Sequence, residues 1–195
     1  MDKASLDKLR EDIVFNEVLC GQPLTFHTTW GLFSPREIDE GSKLLLQHLE
    51  VNQQANCLDL GCGYGAIGLT IAKLASQGQC TLVDKDFVAI DYARKNAKLN
   101  KIENVDILLS NGFDQIRDKT FDLVVSNIPA KVGNELMTLF FSDAYQQLNN
   151  GGRIIVVTIN GLRSYIKRTF NEIFGNYKKL KQGKNYTVSM AQKKE

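Results

Sequence analysis

The sequence predicts an α/β fold in which helices cover both faces of a mostly parallel, seven-stranded sheet. Five short apolar runs alternate with longer segments of helical periodicity, which is typical of βαβ units. Two further apolar stretches, at residues 177–180 and 186–191, predict a C-terminal antiparallel hairpin that closes the sheet. We find no internal repeat or linker, so we expect one domain over residues 1–195, with residues 1–50 as an N-terminal hairpin and helix extension and residues 51–195 as the ligand-binding core.

The N-terminal extension contains two recognisable local signals. Apolar residues at 13–19 and 24–28 flank Gly21, Gln22 and Pro23, which predicts a β-hairpin. Ser34 followed by Pro35 and Glu37 then has the pattern of a helix start, so a helix is expected from Ser34 to about Glu50. Four leucines would form the buried face of that helix: Leu44, Leu45, Leu46 and Leu49.

The core elements follow from the apolar runs and the periodic segments between them. The predicted strands are residues 56–60, 80–84, 105–109, 121–126 and 153–158. The predicted helices lie roughly at residues 66–76, 88–100, 134–148 and 162–174.

Composition excludes several classes of protein. Of 195 residues, 24 are Lys or Arg, 22 are Asp or Glu and 43% are hydrophobic, which argues against global disorder and collagen-like structure. The chain contains no apolar run of about 18 residues and starts without a secretion signal, so we expect a cytoplasmic protein with no membrane partner. The cysteines and histidines lack zinc-ligand spacing, which predicts neither a metal site nor a disulfide: Cys20, Cys57, Cys62, Cys80, His27 and His48.

The charge is unevenly distributed along the chain. Between Arg163 and Glu195 there are nine Lys and Arg against two Glu, whereas the rest of the chain is net acidic. A basic segment of this kind either contacts phosphates or forms a solvated helix face with a frayed tail. The sequence leaves both interpretations open.

A glycine-rich segment from Asp59 to Gly68 lies where a predicted strand ends and a helix begins. Gly61, Gly63 and Gly65 allow a ligand to approach the backbone and the unpaired amides of the helix start. This spacing also satisfies the dinucleotide pattern, but an acid at position 59 favours a cationic, amine-bearing methyl donor over a pyrophosphate. Asp84 ends the next strand and can accept both hydroxyls of a ribose, unless it is a surface residue like Asp86.

A third segment, Asn127-Ile128-Pro129, follows the fourth predicted strand. Its side chains are expected at the carboxyl edge of the sheet, where open α/β sheets bind ligands. An Asn with a Pro two residues later is also a common turn. Because this segment follows a candidate ribose-binding acid and an acidic glycine-rich loop, a role in the ligand site is favoured over a simple turn.

With these segments in view, the chain resembles class I S-adenosylmethionine-dependent methyltransferases, and among them the ribosomal RNA small-subunit methyltransferase C family. Gly31-Leu32-Phe33-Ser34 and Asp39-Glu40-Gly41 are similar to the family's GVFS and D-x-G segments, and Asn127-Ile128-Pro129 stands in place of N-P-P. The resemblance implies a Rossmann-like, doubly wound sheet and S-adenosylmethionine as the cofactor. The donor-binding residues that it implies are Asp59, Gly61, Cys62, Gly63, Gly65, Asp84, Lys85, Asn111, Gly112 and Asn127.

The resemblance also implies a reaction. Asn127 and the backbone carbonyl of Ile128 would each accept one N–H of an exocyclic amine, and Pro129 would keep the turn rigid. The leading expectation is transfer to guanine N2 in 16S ribosomal RNA, with the RNA or the small-subunit particle as partner. Methylation of a protein glutamine or of adenine N6, and a donor-binding RNA module without turnover, remain alternatives. An NAD-dependent oxidoreductase explains neither Asp59 nor the Asn127 turn.

The sequence departs from the family at several positions. Ala130 replaces the aromatic residue that often follows N-P-P, so Phe33, Trp30 or Phe113 would have to stack on the base, with core packing as the alternative role of Phe113. Lys131 could meet a substrate phosphate, and Asn111 stands where relatives often have Asp. Longer relatives carry an extra N-terminal domain, so we expect substrate docking to differ.

Overall fold

The computed structural model describes residues 2–194, and its elements follow the predicted α/β order. The strands are β1 (Ile13–Leu19), β2 (Gln22–Thr28), β3 (Cys57–Leu60), β4 (Cys80–Asp84), β5 (Val105–Leu109), β6 (Phe121–Asn127), β7 (Leu148–Ile159), β8 (Lys178–Gln182) and β9 (Tyr186–Gln192). The helices are α1 (Lys3–Arg10), α2 (Glu40–Gln47), α3 (Ala66–Leu74), α4 (Phe87–Leu99), α5 (Asn134–Gln147) and α6 (Arg163–Phe174).

Seven strands form the main sheet in the order β5-β4-β3-β6-β7-β9-β8. Strands β3 to β7 are parallel, whereas β9 pairs antiparallel with β7 and β8 antiparallel with β9. The predicted doubly wound sheet, its C-terminal hairpin and the separate β1–β2 hairpin are therefore confirmed. The strand order reverses between β3 and β6, and the carboxyl ends on either side of such a switch point form the usual ligand crevice.

Two apolar clusters pack on opposite faces of the sheet. One joins α2, α3, α4 and the N-terminal hairpin, and the other joins α5 and α6. All four residues of β3 are buried, because helices cover both of its faces. The central strands can therefore hold the loops at their carboxyl ends in fixed positions.

Side chains of α4 form hydrogen bonds with the edge of β2 that is not paired with β1. The Asn96 side chain accepts the amide of His27 at 2.8 Å and donates to the carbonyls of His27 and Tyr64 at 3.0 Å each. One turn later, the Asn100 side chain accepts the amide of Thr25 at 2.9 Å. The hairpin is thus joined to the same helix that supports the loop around Tyr64.

The helix expected to begin at Ser34 begins six residues later, and that prediction was wrong. Ser34 has a φ of +47°, whereas the N-cap of α2, Asp39, is extended with a φ of −65°. The Ser34 hydroxyl donates to the carbonyl of Glu37 at 2.6 Å. Asp39 is the N-cap instead, and its side chain accepts the amide of Ser42. Asp is among the strongest N-caps, so it fixes the helix start despite Pro35 upstream.

Helix α1 was not predicted from the sequence. It is capped by Asp2 and buries none of its residues, and its two leucines, Leu6 and Leu9, are both exposed, so no packing against the core required it. Strand β7 also starts earlier than expected, at Leu148, because it follows α5 without a loop. Within the described residues, no helix is long and apolar enough to cross a membrane.

Candidate functional site

A cavity of about 390 Å³ lies at the carboxyl edge of β3, β4 and β6, within the usual size of a ligand pocket. Most of the predicted site residues line it: Phe33, Asp59, Gly61, Cys62, Gly63, Asp84, Lys85, Asn111, Gly112, Asn127, Ile128 and Pro129. Gly65, Trp30 and Lys131 lie outside this lining. Three separate segments of the chain are therefore brought together at the predicted edge.

The glycine-rich loop after β3 leaves open space at its turns. Gly61 and Gly63 have φ values of +76° and +55°, and a Cβ added at either position would meet no atom within 4 Å. Gly68 is constrained in the opposite way, because an added Cβ would lie 2.5 Å from Leu82 and 2.9 Å from Asp59 Oδ2. The first two glycines admit a ligand to the backbone, and the third lets α3 approach the sheet closely.

Asp59 is the most buried polar group in this loop, with 1% of its surface exposed. Its Oδ2 accepts the amide of Gly68 at 2.7 Å, whereas its Oδ1 has no hydrogen-bond partner among the described residues. Burial raises the pKa of this carboxyl to about 7; the Gly68 hydrogen bond opposes the rise and Asp84 adds to it. A buried acceptor without a partner beside a cavity suits a cationic N–H donor on the ligand.

Asp84, the last residue of β4, contacts the glycine loop directly and stabilises it. Its Oδ2 accepts the amide of Gly63 at 2.9 Å, and its Oδ1 accepts the amide of Asp86 at 3.0 Å. Each carboxylate oxygen can accept a further hydrogen bond, so Asp84 can still bind two ligand hydroxyls. Asp86 instead caps α4 by accepting the amide of Val88, as expected for a residue outside the site.

Asn127 is the last residue of β6, and its side chain is held by residues at the start of α2, which is distant in sequence. Its Nδ2 donates to Asp39 Oδ2 and to Ser42 Oγ, both at 3.0 Å, which leaves its Oδ1 without a partner among the described residues. The amide of Ile128 donates to the carbonyl of Val157 at 3.0 Å, and no described donor contacts the Ile128 carbonyl. Two acceptor oxygens on neighbouring residues are therefore free beside the cavity.

The three aromatic candidates for base stacking differ in position. Phe113 is buried in the core, with 3% of its surface exposed. Phe33 lines the cavity with 68% of its surface exposed, whereas Trp30 lies outside the lining with the Arg36 guanidinium 4.6 Å from its ring centre. Ala130 and Lys131 are exposed on the turn after Pro129. Of these candidates, Phe33 is therefore the one that lines the cavity and that a bound base can reach.

Sequence reasoning gave no function to several residues of the site. Asp39 and Ser42 hold Asn127, and the Tyr64 hydroxyl donates to the carbonyls of Ser34 and Glu37 at 3.3 Å, which ties the Phe33 segment to the glycine loop. Val132, Leu136 and Phe140 form an apolar wall. Asp39 was noted only within the D-x-G segment, and no pattern separated Leu136 or Phe140 from other apolar positions.

The thiols of the cavity region are inert. All four cysteines are free, and burial raises the pKa of Cys57 to about 12 and that of Cys62 well above its usual value. Across residues 2–194, no group of three His, Cys, Asp or Glu side chains is arranged to hold a metal ion. Cys62 contributes to the cavity through its place in the glycine loop.

The comparisons with known proteins agree with this geometry. The family model of the methyltransferase small domain matches residues 23–190. The chain is 30% identical to the uncharacterized protein YbxB of Bacillus subtilis, over 90% of this chain and 89% of that protein. It is 33% identical to ribosomal RNA small subunit methyltransferase C of Haemophilus influenzae (strain 86-028NP), over 86% of this chain and 51% of that protein.

A solved structure extends the comparison to three dimensions. The 16S rRNA N2 methyltransferase of T. thermophilus, in complex with AdoMet and guanosine, superposes with a TM-score of 0.85 at 27% identity. The match covers 94% of this chain and 51% of that one, so the chain spans about half the length of the ribosomal RNA methyltransferases it matches. Because the matched residues include the glycine loop, Asp84 and the Asn127 turn, the chain belongs to the methyltransferase small domain family.

Proposed function

We propose that this chain transfers a methyl group from S-adenosylmethionine to an exocyclic amine in ribosomal RNA, specifically N2 of a guanine. The observation that carries the proposal is the pair of free acceptor oxygens, Asn127 Oδ1 and the Ile128 carbonyl, on the cavity that also contains the unpartnered Asp59 Oδ1. One side of the cavity suits a cationic donor, and the other suits an amine with two N–H groups.

Several residues on the donor side support the binding of S-adenosylmethionine. Asp59 Oδ1 would accept from the amino group of the donor, and Asp84 would accept from the ribose hydroxyls. Asn111 and Gly112, facing the Phe140 ring, would hold the adenine. The bound donor supplies an electrophilic methyl group on a sulfonium centre.

The acceptor side addresses the weak nucleophilicity of a base amine, whose lone pair is delocalised into the ring. Asn127 Oδ1 and the Ile128 carbonyl accept one N–H each, which aims the lone pair at the methyl group. Well-oriented reactants gain about 7 to 11 kcal/mol from proximity. In the transfer, the bond between sulfur and the methyl carbon would break and leave S-adenosylhomocysteine as a neutral thioether, while the amine would gain the methyl group. The amine would release one proton to solvent, since no histidine lines the cavity among the described residues.

The choice of a ribosomal RNA guanine is supported by the relatives. Two of the proteins described above are named for methylation of small-subunit ribosomal RNA, and one of them was solved with guanosine. A guanine N2 amine offers the two N–H groups that the two oxygens require. The reaction would then take place in the cytoplasm, where ribosomes assemble.

A basic edge of the molecule also favours RNA. We define the basic edge as the exposed residues Arg163, Lys178, Lys179, Lys181 and Lys184. Arg163 and Lys179 both contact the side chain of Gln182, so α6 and β8 present their charges together. The side chain of Asn160, which follows β7, donates to the carbonyl of Lys184. This contact places the β8–β9 turn at the carboxyl edge of the sheet, the same edge on which the cavity lies. Phosphates of a bound RNA could follow this edge toward the site.

The direct test is methyl transfer from tritiated S-adenosylmethionine by the full chain. The acceptors are 16S ribosomal RNA, small-subunit particles and ribosomal proteins, all from a strain that lacks this chain. After digestion to nucleosides, we expect the label in N2-methylguanosine. Label in N6-methyladenosine or in a protein glutamine would overturn the guanine assignment, and donor binding without transfer would overturn the enzymatic function.

A further inference from the structure

We propose that Asp39 is a positioning residue that fixes the Asn127 amide with its oxygen directed at the substrate amine. This inference rests on the proposed function, because it assigns the orientation that amine binding needs. The observation behind it is the hydrogen bond from Asn127 Nδ2 to Asp39 Oδ2 at 3.0 Å, across 88 positions of the chain.

The chemistry of the two groups fixes the orientation. An Asn side chain can rotate by 180° and exchange its oxygen and its NH2, which have nearly the same shape. Only the oxygen can accept an N–H from a base amine, so in the rotated form the NH2 of Asn127 would face the N–H groups of the base and form no hydrogen bond. A carboxylate can only accept, and it would repel the amide oxygen in the rotated form. Asp39 therefore holds the NH2 end on its own side.

Ser42 completes the contacts of the same NH2 group. Its buried hydroxyl accepts from Asn127 Nδ2 at 3.0 Å, so each N–H of the amide has its own acceptor. Both acceptors belong to the first turn of α2. With its NH2 fully engaged, the amide has only its oxygen left for the cavity.

The position of Asp39 is itself set by the fold. As N-cap of α2, its Oδ2 also accepts the amide of Ser42 at 3.1 Å. Gly41 leaves room for this oxygen, because an added Cβ would lie 3.0 Å from it and 3.2 Å from the Tyr186 ring. One carboxylate oxygen therefore joins the start of a helix to the amide at the end of β6.

Two substitutions separate positioning from helix capping. Asn and Ser are both good N-caps, so Asp39→Asn and Asp39→Ser should each preserve α2. The Asn oxygen reaches Asn127, whereas the shorter Ser side chain does not. We expect kcat to fall by about 100-fold in Asp39→Ser, since small misplacements have effects of that size, with donor Kd unchanged. Asp39→Asn should stay within about tenfold of the unsubstituted chain, because a neutral acceptor gives a weaker hydrogen bond.

A matched control is available on α1. Asp2 is also an N-cap, and it accepts the amide of Ser5 three residues later, as Asp39 does with Ser42. Asp2→Ser should leave kcat and donor Kd unchanged. Unchanged kcat in Asp39→Ser would overturn the inference. Equal loss of activity and donor binding in both Asp39 variants would overturn it too, because it would indicate a purely structural effect.

A spectroscopic readout tests the orientation without any substrate. In the ¹⁵N-labelled full chain, the side-chain NH2 signals of Asn127 can be assigned by their loss in Asn127→Ala. We expect these signals to shift and to exchange faster with water in Asp39→Ser, and to stay close to their original positions in Asp39→Asn. Identical signals in all three proteins would contradict the inference. If the chain methylates no RNA, the proposed function fails, but this measurement still decides the contact.

Discussion

The donor side and the acceptor side of the cavity are built in different ways. On the donor side, Asp59 and Asp84 accept amides that lie 2, 9 and 21 positions away, within consecutive βα units. On the acceptor side, Asn127 is held by residues 85 and 88 positions away. The donor site can therefore be recognised from neighbouring stretches of the sequence, whereas the geometry of the acceptor site depends on how α2 packs against β6.

This difference leads to separable effects. Substitutions on the donor side should change the Kd of S-adenosylmethionine, and substitutions on the acceptor side should change kcat or the KM of the RNA. Each variant below either strengthens this division or breaks it.

The largest effect is expected for Asn127→Ala. Loss of the amide oxygen removes one of two groups that aim the amine, so we expect kcat to fall by about 10² to 10³-fold, as for other preorganised polar groups. Donor Kd, measured by calorimetry, should change little. Full turnover, or a large loss of donor affinity, would break the division between the two sides.

Asp59→Asn should weaken donor binding by about 10- to 100-fold, the usual scale for a hydrogen bond to a charged group. Because burial raises the pKa of Asp59 to about 7, the carboxyl must lose a proton to bind a cationic amine. Donor affinity of the unsubstituted chain should therefore rise as pH increases through 7. The Asn variant should lack this rise, and an identical pH profile in calorimetry would exclude Asp59 from the donor site.

The same carboxyl should make the ligand-free protein less stable at high pH. A pKa raised from 3.8 to about 7 means that the folded state binds the proton more tightly than the unfolded chain. Stability should thus fall as pH rises from 4 to 7, by roughly 4 kcal/mol at most. Thermal unfolding should show Asp59→Asn with the higher Tm at pH 8 but not at pH 4, and parallel pH profiles would contradict this.

Phe33→Ala tests whether the acceptor side includes a stacking surface. Loss of one base–aromatic contact should weaken RNA binding by about 1 to 3 kcal/mol, seen as a higher KM for RNA. Phe87→Ala is the control, because Phe87 is 61% exposed at the start of α4 and outside the cavity lining. Equal KM values for the two variants would remove Phe33 from the substrate site.

The smallest effect is expected for the double substitution Lys178→Gln and Lys181→Gln on the basic edge. If both lysines contact phosphates, the slope of the logarithm of the RNA association constant against the logarithm of the salt concentration should become shallower by about 1.4 to 1.8. Lys3→Gln with Lys8→Gln on α1 removes the same charge elsewhere. Lysines on an edge strand such as β8 also prevent strand pairing between molecules. An unchanged slope would mean that these two lysines do not contact phosphates and only prevent such pairing.

The sequence was sufficient for the sheet, and most of the residues that it predicted for the donor side line the cavity. Strands 80–84 and 105–109 were predicted with the observed bounds, because β-branched runs between helical segments mark parallel strands. Asp59 and Asp84 were predicted to lie at the ligand crevice because their positions relative to strand ends are local, and both line the cavity. Their contacts with a donor stay predictions. Asp39 received no function, because its contact with Asn127 exists only after folding. Ser34 was mistaken for a helix cap, since nothing local reveals its positive φ.

In the proposed complex, the free oxygens of Asn127 and Ile128 hold a guanine amine beside the donor. A crystal structure of the chain with S-adenosylhomocysteine and guanosine tests it most directly. We predict guanine N2 within hydrogen-bonding distance of Asn127 Oδ1 and the Ile128 carbonyl, facing the thioether sulfur, with Phe33 against the ring. A guanine bound elsewhere, or with its amine turned away from both oxygens, would contradict the account.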